Sequence, residues 1–336
     1  MRTVFVIGAG ANVEIGMPSG DELKKEIVKK LDFKSTTDGG DNHLYNVFVS
    51  AFGNHRRLSA IAETIREALP FAISIDNFLD AHRNETDVVL GGKLAIIVSI
   101  LEAERKSSLY NFIYDDFNNI IQDTWYPLFL RKITEGCEIN EFIERLEDIS
   151  FIIFNYDRCF EYYMPKALRI YYQIGQAQAE SIVEKMKIIH PYGIIGNTNN
   201  LGGSIPLVKL VQYAQNIRTF TEYSEETREE QTSIKHIIDR ASRVIFLGFA
   251  YHRLNLGLLF DYPGGAVTLV DKAPLSAVVE CYGTGYGISE GDRKYIQDFF
   301  KKLDTRIGYS DISGDTCTQF FNNFWYRLYF GKSRIS

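Results

Sequence analysis

The chain has 336 residues, of which 45% are apolar and 24% charged, and a formal net charge of −6. At roughly 150 residues per domain, this is room for about two domains, or one domain with a large insertion, and the apolar content excludes a disordered chain. The acidic balance argues against broad nucleic-acid binding, which needs a basic face; His55-Arg56-Arg57 is too short to supply one.

Thr3 to Ile7 is a short, β-branched, wholly apolar run and predicts a buried strand of a parallel sheet. Gly8-Ala9-Gly10 stops it. Ser19 with Glu22 three residues on has the spacing of a capping box, and Leu23, Ile27 and Leu31 follow at helical spacing. The chain therefore opens as strand, glycine loop, helix. Residues 34–42 are polar and predict a loop. From about 44 to 147 the period is helical: Leu58, Ile61, Ala62 and Ile65 form one stripe, Phe117, Ile120 and Ile121 begin another, and Ile139, Phe142, Ile143, Leu146 and Ile149 form a third. Ser74 predicts a capped helix start before Ile75.

Strand-helix alternation resumes near 150. Strands are predicted over 151–154, 187–189, 244–247 and 267–270, ending at Asn155, His190, Gly248 and Asp271. Helical stripes follow at Ile234, Ile237, Ile238 and at Tyr295, Phe299, Leu303. The pattern predicts an α/β fold, a Rossmann-like doubly wound parallel sheet with a large helical insertion. The expected division is a Rossmann domain over 1–32 plus 148–310, a helical insertion over 33–147, and a C-terminal helical tail over 311–336 packing on the Rossmann domain.

Four cysteines, at 137, 159, 281 and 317, show no Cys-x-x-Cys spacing. That excludes a zinc ribbon and points to a reducing, cytoplasmic compartment, with Cys159 a small buried hydrophobe. His43, His55, His82, His236 and His252 show no metal-ligand spacing, so no metal is expected. The first residues are too short an apolar run for a signal-peptide core. The longest apolar run, Leu94 to Leu101, is interrupted by Ser99 and falls well short of the roughly 20 residues of a membrane span, so no membrane is expected.

Gly8 and Gly10 sit at the carboxyl end of a strand, where open α/β sheets bind ligands and where glycine lets backbone approach a phosphate. The same pair serves equally as a tight strand-to-helix turn. Val13 stands where the ordinary dinucleotide fingerprint has its third glycine, and Asp32 ends a helix rather than a second strand, which disfavours a hydride-transferring dehydrogenase.

The spacing present is Gly8-Ala9-Gly10-Ala11-Asn12, three residues, then Gly16-Met17-Pro18-Ser19. This resembles the opening motif of sirtuin-like proteins. Phe154-Asn155-Tyr156-Asp157, His190-Pro191-Tyr192-Gly193 and Leu247-Gly248-Phe249 resemble three later family motifs, in order. With its helical insertion the chain looks most like the bacterial sirtuin-like NAD hydrolases of anti-phage systems. Asn12 replaces the family's usual Ser, Ser19-Gly20 replaces the Asp-Phe-Arg of the deacylases, and the zinc cysteines are missing. The last two departures turn the expectation away from protein deacylation and leave NAD binding intact.

The resemblance implies NAD as substrate and cleavage to nicotinamide and ADP-ribose. Nicotinamide is a cationic leaving group and needs no proton donor; the carbon left behind is oxocarbenium-like, as in glycoside hydrolysis. In this reading Asn155 positions the water and ribose, His190 acts as base or orienter, and Asp157 helps hold the nicotinamide pocket. Gly8, Ala9, Gly10, Asn12, Gly16 and Pro18 cradle the dinucleotide, and Gly248, Asn255 and Asp271 hold its adenosine half. The plainer roles are a helix cap for Asn155, a loop brace for Asp157, a backbone-satisfied histidine for His190 and a turn for Asp271. Tyr192, also set in the NAD site, stands immediately before Gly193 where the family histidine normally does, so either His190 or Tyr192 holds the base position; a tyrosine near pKa 10 is a poor base at pH 7. Such an activity needs restraint, so an oligomer, an associated ATPase or other defence protein, or a trigger is expected. The alternatives are a catalytically weak NAD or ADP-ribose sensor, or an assembly subunit.

Overall fold

The computed structural model describes residues 1–33, 43–110, 121–196, 201–202, 205–219, 225–260 and 278–330. In chain order the elements are β1 (Thr3–Ile7), a 3₁₀ turn (Ala9–Ile15), α1 (Gly20–Lys30), α2 (His43–Phe52), α3 (His55–Ala68), α4 (Ile75–Ala81), α5 (Thr86–Lys106), α6 (Trp125–Thr134), α7 (Ile139–Leu146), β2 (Ile149–Ile153), α8 (Cys159–Tyr172), α9 (Gln176–Glu184) and β3 (Lys187–Ile189). There follow α10 (Leu207–Ala214), α11 (Glu225–Asp239), β4 (Arg243–Leu247), α12 (Arg253–Leu259), β5 (Val279–Thr284), α13 (Glu290–Leu303), β6 (Ile307–Ser313) and α14 (Cys317–Asn323).

The six strands form one all-parallel sheet in the order β3-β2-β1-β4-β5-β6. This is the Rossmann-like α/β arrangement expected. The chain builds outward from β1 to β3, then returns to β1's other side with β4. β1, β2 and β4 are buried along their whole length because helices cover both faces, which is why they read as mostly apolar runs, broken by Thr3, Ser150 and Arg243 alone. Thr3 to Ile7 lie opposite Ile149 to Ile153 on one side and Arg243 to Leu247 on the other. The carboxyl ends of these three strands are thereby level.

Several local expectations hold. Ser19 and Glu22 form a reciprocal capping box on α1, and the Ser74 side chain accepts the Asn77 N–H at the start of α4. Between 43 and 146 all the described elements are helical. The run Leu94–Leu101 is buried on every side, the mark of a core helix rather than a surface one. No helix of the described residues is long and apolar enough to cross a membrane.

Other expectations change. The predicted strand over 267–270, Asp271, the loop over 34–42, and Phe117 and Ile120 lie outside the described residues. β5 and β6 were not expected: Glu280 and Gly283 break the apolar signature of β5, and edge strand β6 is half polar. The segment after 310 is therefore not helical throughout. β6 crosses that boundary, and α14 follows, with Phe321 stacked on Trp125 at 6.1 Å. The helical insertion is also not separate from the sheet. Phe129 of α6 meets Phe5 of β1 edge-to-face at 5.2 Å.

Glu14 ties these parts together. Its carboxylate accepts the Trp125 N–H at 2.9 Å, the Thr318 N–H at 2.9 Å and the Thr318 hydroxyl at 2.5 Å. One carboxylate thus caps the first turns of α6 and α14 at once. Glu14→Ala is expected to lower unfolding free energy by about 1–3 kcal/mol, roughly the sum of two lost caps, read by urea denaturation. A change below about 0.5 kcal/mol would remove the double cap from the stability account.

Candidate active site at the carboxyl ends of the strands

The topological switch lies between β1 and β4, and the loops leaving those strands meet there. Gly10 N–H donates to Gly248 O at 3.0 Å, and Gly8 N–H to Leu247 O at 2.9 Å. A Cβ on Gly8 would lie 2.6 Å from the Gly248 carbonyl oxygen, and one on Gly10 2.8 Å from it. Gly248 N–H in turn donates to Thr284 Oγ1 at 2.8 Å. The space opened by the missing side chains is thus taken up by backbone of the facing loop, as in the tight-turn role of this pair. Ala9 and Gly10 remain partly exposed and form the edge this loop presents. Gly16 ends the 3₁₀ turn, and Pro18 leads into the Ser19 cap.

Asn12 is buried and its amide is used internally. Nδ2 donates to Asp157 Oδ1 at 2.8 Å, and Oδ1 accepts the Tyr126 hydroxyl at 2.8 Å. Asp157 Oδ1 also accepts the Cys159 N–H at 3.0 Å, fixing the first turn of α8. Burial pushes the Asp157 carboxyl up, only partly opposed by the Cys159 N–H and the Asn12 amide. Two predicted site residues are therefore brought together, but as braces for each other and for α6. For Asp157 these contacts are those of the loop brace.

The Tyr156-Asp157-Arg158 turn is held from the insertion as well. Glu104 of α5 is fully buried against Arg158, accepting its main-chain N–H at 3.2 Å, its Nε–H at 3.1 Å and its Nη2. The second Glu104 oxygen also accepts the Gly202 N–H at 2.8 Å.

Asn155 leaves the end of β2 and is 4% exposed. Among the described residues neither Nδ2 nor Oδ1 has a hydrogen-bond partner. It does not cap α8; Asp157 does. Its carbonyl oxygen faces Nδ1 of His190 at 3.2 Å, and Nε2 of the same ring lies 2.5 Å from Glu161 Oε1 in the first turn of α8. Burial alone would lower the His190 imidazole's pKa, but the Glu161 carboxylate and the Asn155 carbonyl outweigh it, and the net displacement is upward. Glu161 Oε2 is buried without a partner among the described residues.

Tyr192 reaches elsewhere. Its hydroxyl donates to Asn255 Oδ1 at 2.5 Å, joining the His-Pro-Tyr-Gly loop to the start of α12, and its ring stands edge-on to Phe154 at 5.7 Å. Burial, with the charges of Asp76 and Asp80 on α4, pushes its phenol well up. Tyr156 donates to Asp76, whose carboxyl burial also raises. Of the two candidates for the base position, His190 is the one beside Asn155. Tyr192 and Asn255 pair with each other, and Asp271 lies outside the described residues.

Sequence reasoning missed Glu161 and Asp76. Glu161 meets His190 because β2 and β3 are neighbours, with Ile152 opposite Ile189. The one available signal was an acid in the first turn of a helix directly after the Asn155 strand end. Among the described residues no group of three or more His, Cys, Asp or Glu could hold a metal ion. No family model matches the chain, and neither a curated protein nor a solved structure matches it.

Proposed function

We propose that the chain is an NAD⁺ glycohydrolase that releases nicotinamide and ADP-ribose. The observation that carries the reading is the buried Asn155 amide with both polar atoms unpartnered. A polar group left unsatisfied in a protein interior costs about 1–3 kcal/mol, so it is retained where a ligand meets it. The amide stands at the carboxyl end of β2, beside the central β1 whose junction with β4 is the switch point, with an imidazole against its own carbonyl and a carboxylate on that ring's other nitrogen. An amide can orient a water or a ribose hydroxyl without adding charge, and cleavage of a cationic nicotinamide asks for no acid. Asn155 in this account fixes the ribose and the attacking water, and the partly exposed Ala9-Gly10 edge lies toward the pyrophosphate. The defence role, a gating oligomer and an associated ATPase rest on the sirtuin-like motifs.

Chromatography of products after incubation with NAD tests this. Equimolar nicotinamide and ADP-ribose are expected. Asn155→Ala is expected to cut nicotinamide release by about 10²–10³-fold, the usual cost of one pre-placed polar contact in a transition state. Its urea midpoint should not fall, because no hydrogen bond is lost with the side chain. Full activity in Asn155→Ala would sink the assignment. A second reading, a sensor that binds NAD without turning it over, is favoured by one observation: both ring nitrogens of His190 are already engaged. Calorimetric NAD binding with no nicotinamide released would select it.

A further inference from the structure

We infer that Glu161, rather than His190, is the proton acceptor of this site, and that His190 is its positioning residue. The inference rests on the glycohydrolase reading above. A main-chain carbonyl can only accept, so Nδ1 of His190, 3.2 Å from the Asn155 oxygen, carries a hydrogen and donates it. In a neutral ring Nε2 would then hold a lone pair. Two lone pairs do not meet at 2.5 Å, so one proton lies between Nε2 and Glu161 Oε1. Both nitrogens are thereby occupied, and the imidazole has no free lone pair for a water's proton.

The open acceptor is the carboxylate's other oxygen. Glu161 Oε2 is buried and unpartnered, as are both polar atoms of the Asn155 amide. Among the described residues five buried side-chain atoms lack a partner, and three belong to these two residues, which one imidazole ring connects. The side chains of Glu161 and His190 are each about nine-tenths buried, so the pair is held rather than splayed into solvent.

The step balances as follows. The water oxygen bonds to the anomeric carbon of the nicotinamide ribose. The C–N glycosidic bond breaks, and its electron pair goes to the nicotinamide nitrogen and cancels the positive charge. The water's proton passes to Glu161 Oε2, while Oε1 keeps its shared proton with His190 Nε2. The carboxyl then releases that proton to solvent, and the sum is NAD⁺ and water giving ADP-ribose, nicotinamide and a proton.

The test uses the full chain and NAD. Glu161→Gln is expected to lower kcat by about 10²–10⁴-fold, the usual worth of a positioned base, with KM within about threefold of the parent. Glu161→Asp, which keeps the carboxylate, should recover part of the loss. His190→Asn keeps a donor for the Asn155 carbonyl and should lose less than Glu161→Gln. Nitrogen-15 NMR of the histidine rings in the unmodified protein should show His190 Nδ1 protonated; an unprotonated Nδ1 would overturn the inference even if every variant misfolded. Glu161→Gln with unchanged kcat, beside an inactive His190→Asn, would overturn it and leave the glycohydrolase reading intact. No nicotinamide release from the parent protein would bring down that reading and this role together.

Discussion

Glu104→Ala is expected to destabilise the protein by about 3–5 kcal/mol, the usual cost of removing one partner of a buried ion pair. Arg158 is 2% exposed and Glu104 fully buried, so the guanidinium left behind would lose the Glu104 charge far from water. The main-chain N–H groups of Arg158 and Gly202 would lose their acceptor as well. Chemical denaturation of the parent and of Glu104→Ala, Arg158→Met and their combination measures this. The double variant should recover only part of the loss, because replacing both charges relieves the ionic penalty but not the two orphaned N–H groups. A Glu104→Ala loss under about 1 kcal/mol would show that water reaches the pair. The pair also links the long insertion helix α5 to the turn just after Asn155, so nicotinamide release should fall in Glu104→Ala even at temperatures where it remains folded.

Gly248→Ala is the second large effect. Gly248 has φ +56, and its added Cβ would stand 1.8 Å from Ala11 N and 2.2 Å from Gly10 C. Left-handed backbone costs a non-glycine residue about 1–2 kcal/mol. The overlap comes on top and cannot be relieved by a side-chain rotation, since the neighbour is backbone. A total of about 4 kcal/mol or more is expected, in the range reserved for gross steric or core defects. Gly136 supplies the control: its φ is +67 but nothing lies within 4 Å of an added Cβ, so Gly136→Ala should show the conformational cost alone. Equal losses in the two variants would refute the close approach of the β1 and β4 loops.

Much of the frame is visible in local patterns. The apolar runs at Thr3–Ile7, around 151–154 and at 244–247 are short, rich in β-branched and aromatic residues and covered on both faces, which suits buried parallel strands. The helical period across the insertion and the Ser19 and Ser74 caps are equally local. Asn155 and His190 could be named because they end such strands. Glu161 could not, since it meets His190 from 29 residues away across the β2–β3 pairing. The internal partners of Asn12, Asp157 and Tyr192 were hidden for the same reason. Each residue type suits a ligand or a brace, and only the position of Tyr126, Cys159 or Asn255 decides between them.

Local patterning along the chain is enough to set the class of fold, the glycine-bearing strand ends and the helical character of the insertion. These follow from apolar periodicity and turn chemistry, which act within a few residues. The tertiary structure alone decided which polar atoms are satisfied and which are left open. It joined Glu104 to Arg158, spent Asn12 on Asp157, and left the Asn155 amide and one Glu161 oxygen without partners. A hydrogen bond forms or fails over a few tenths of an ångström, and that precision is set by how strands and helices distant in the chain come to lie side by side.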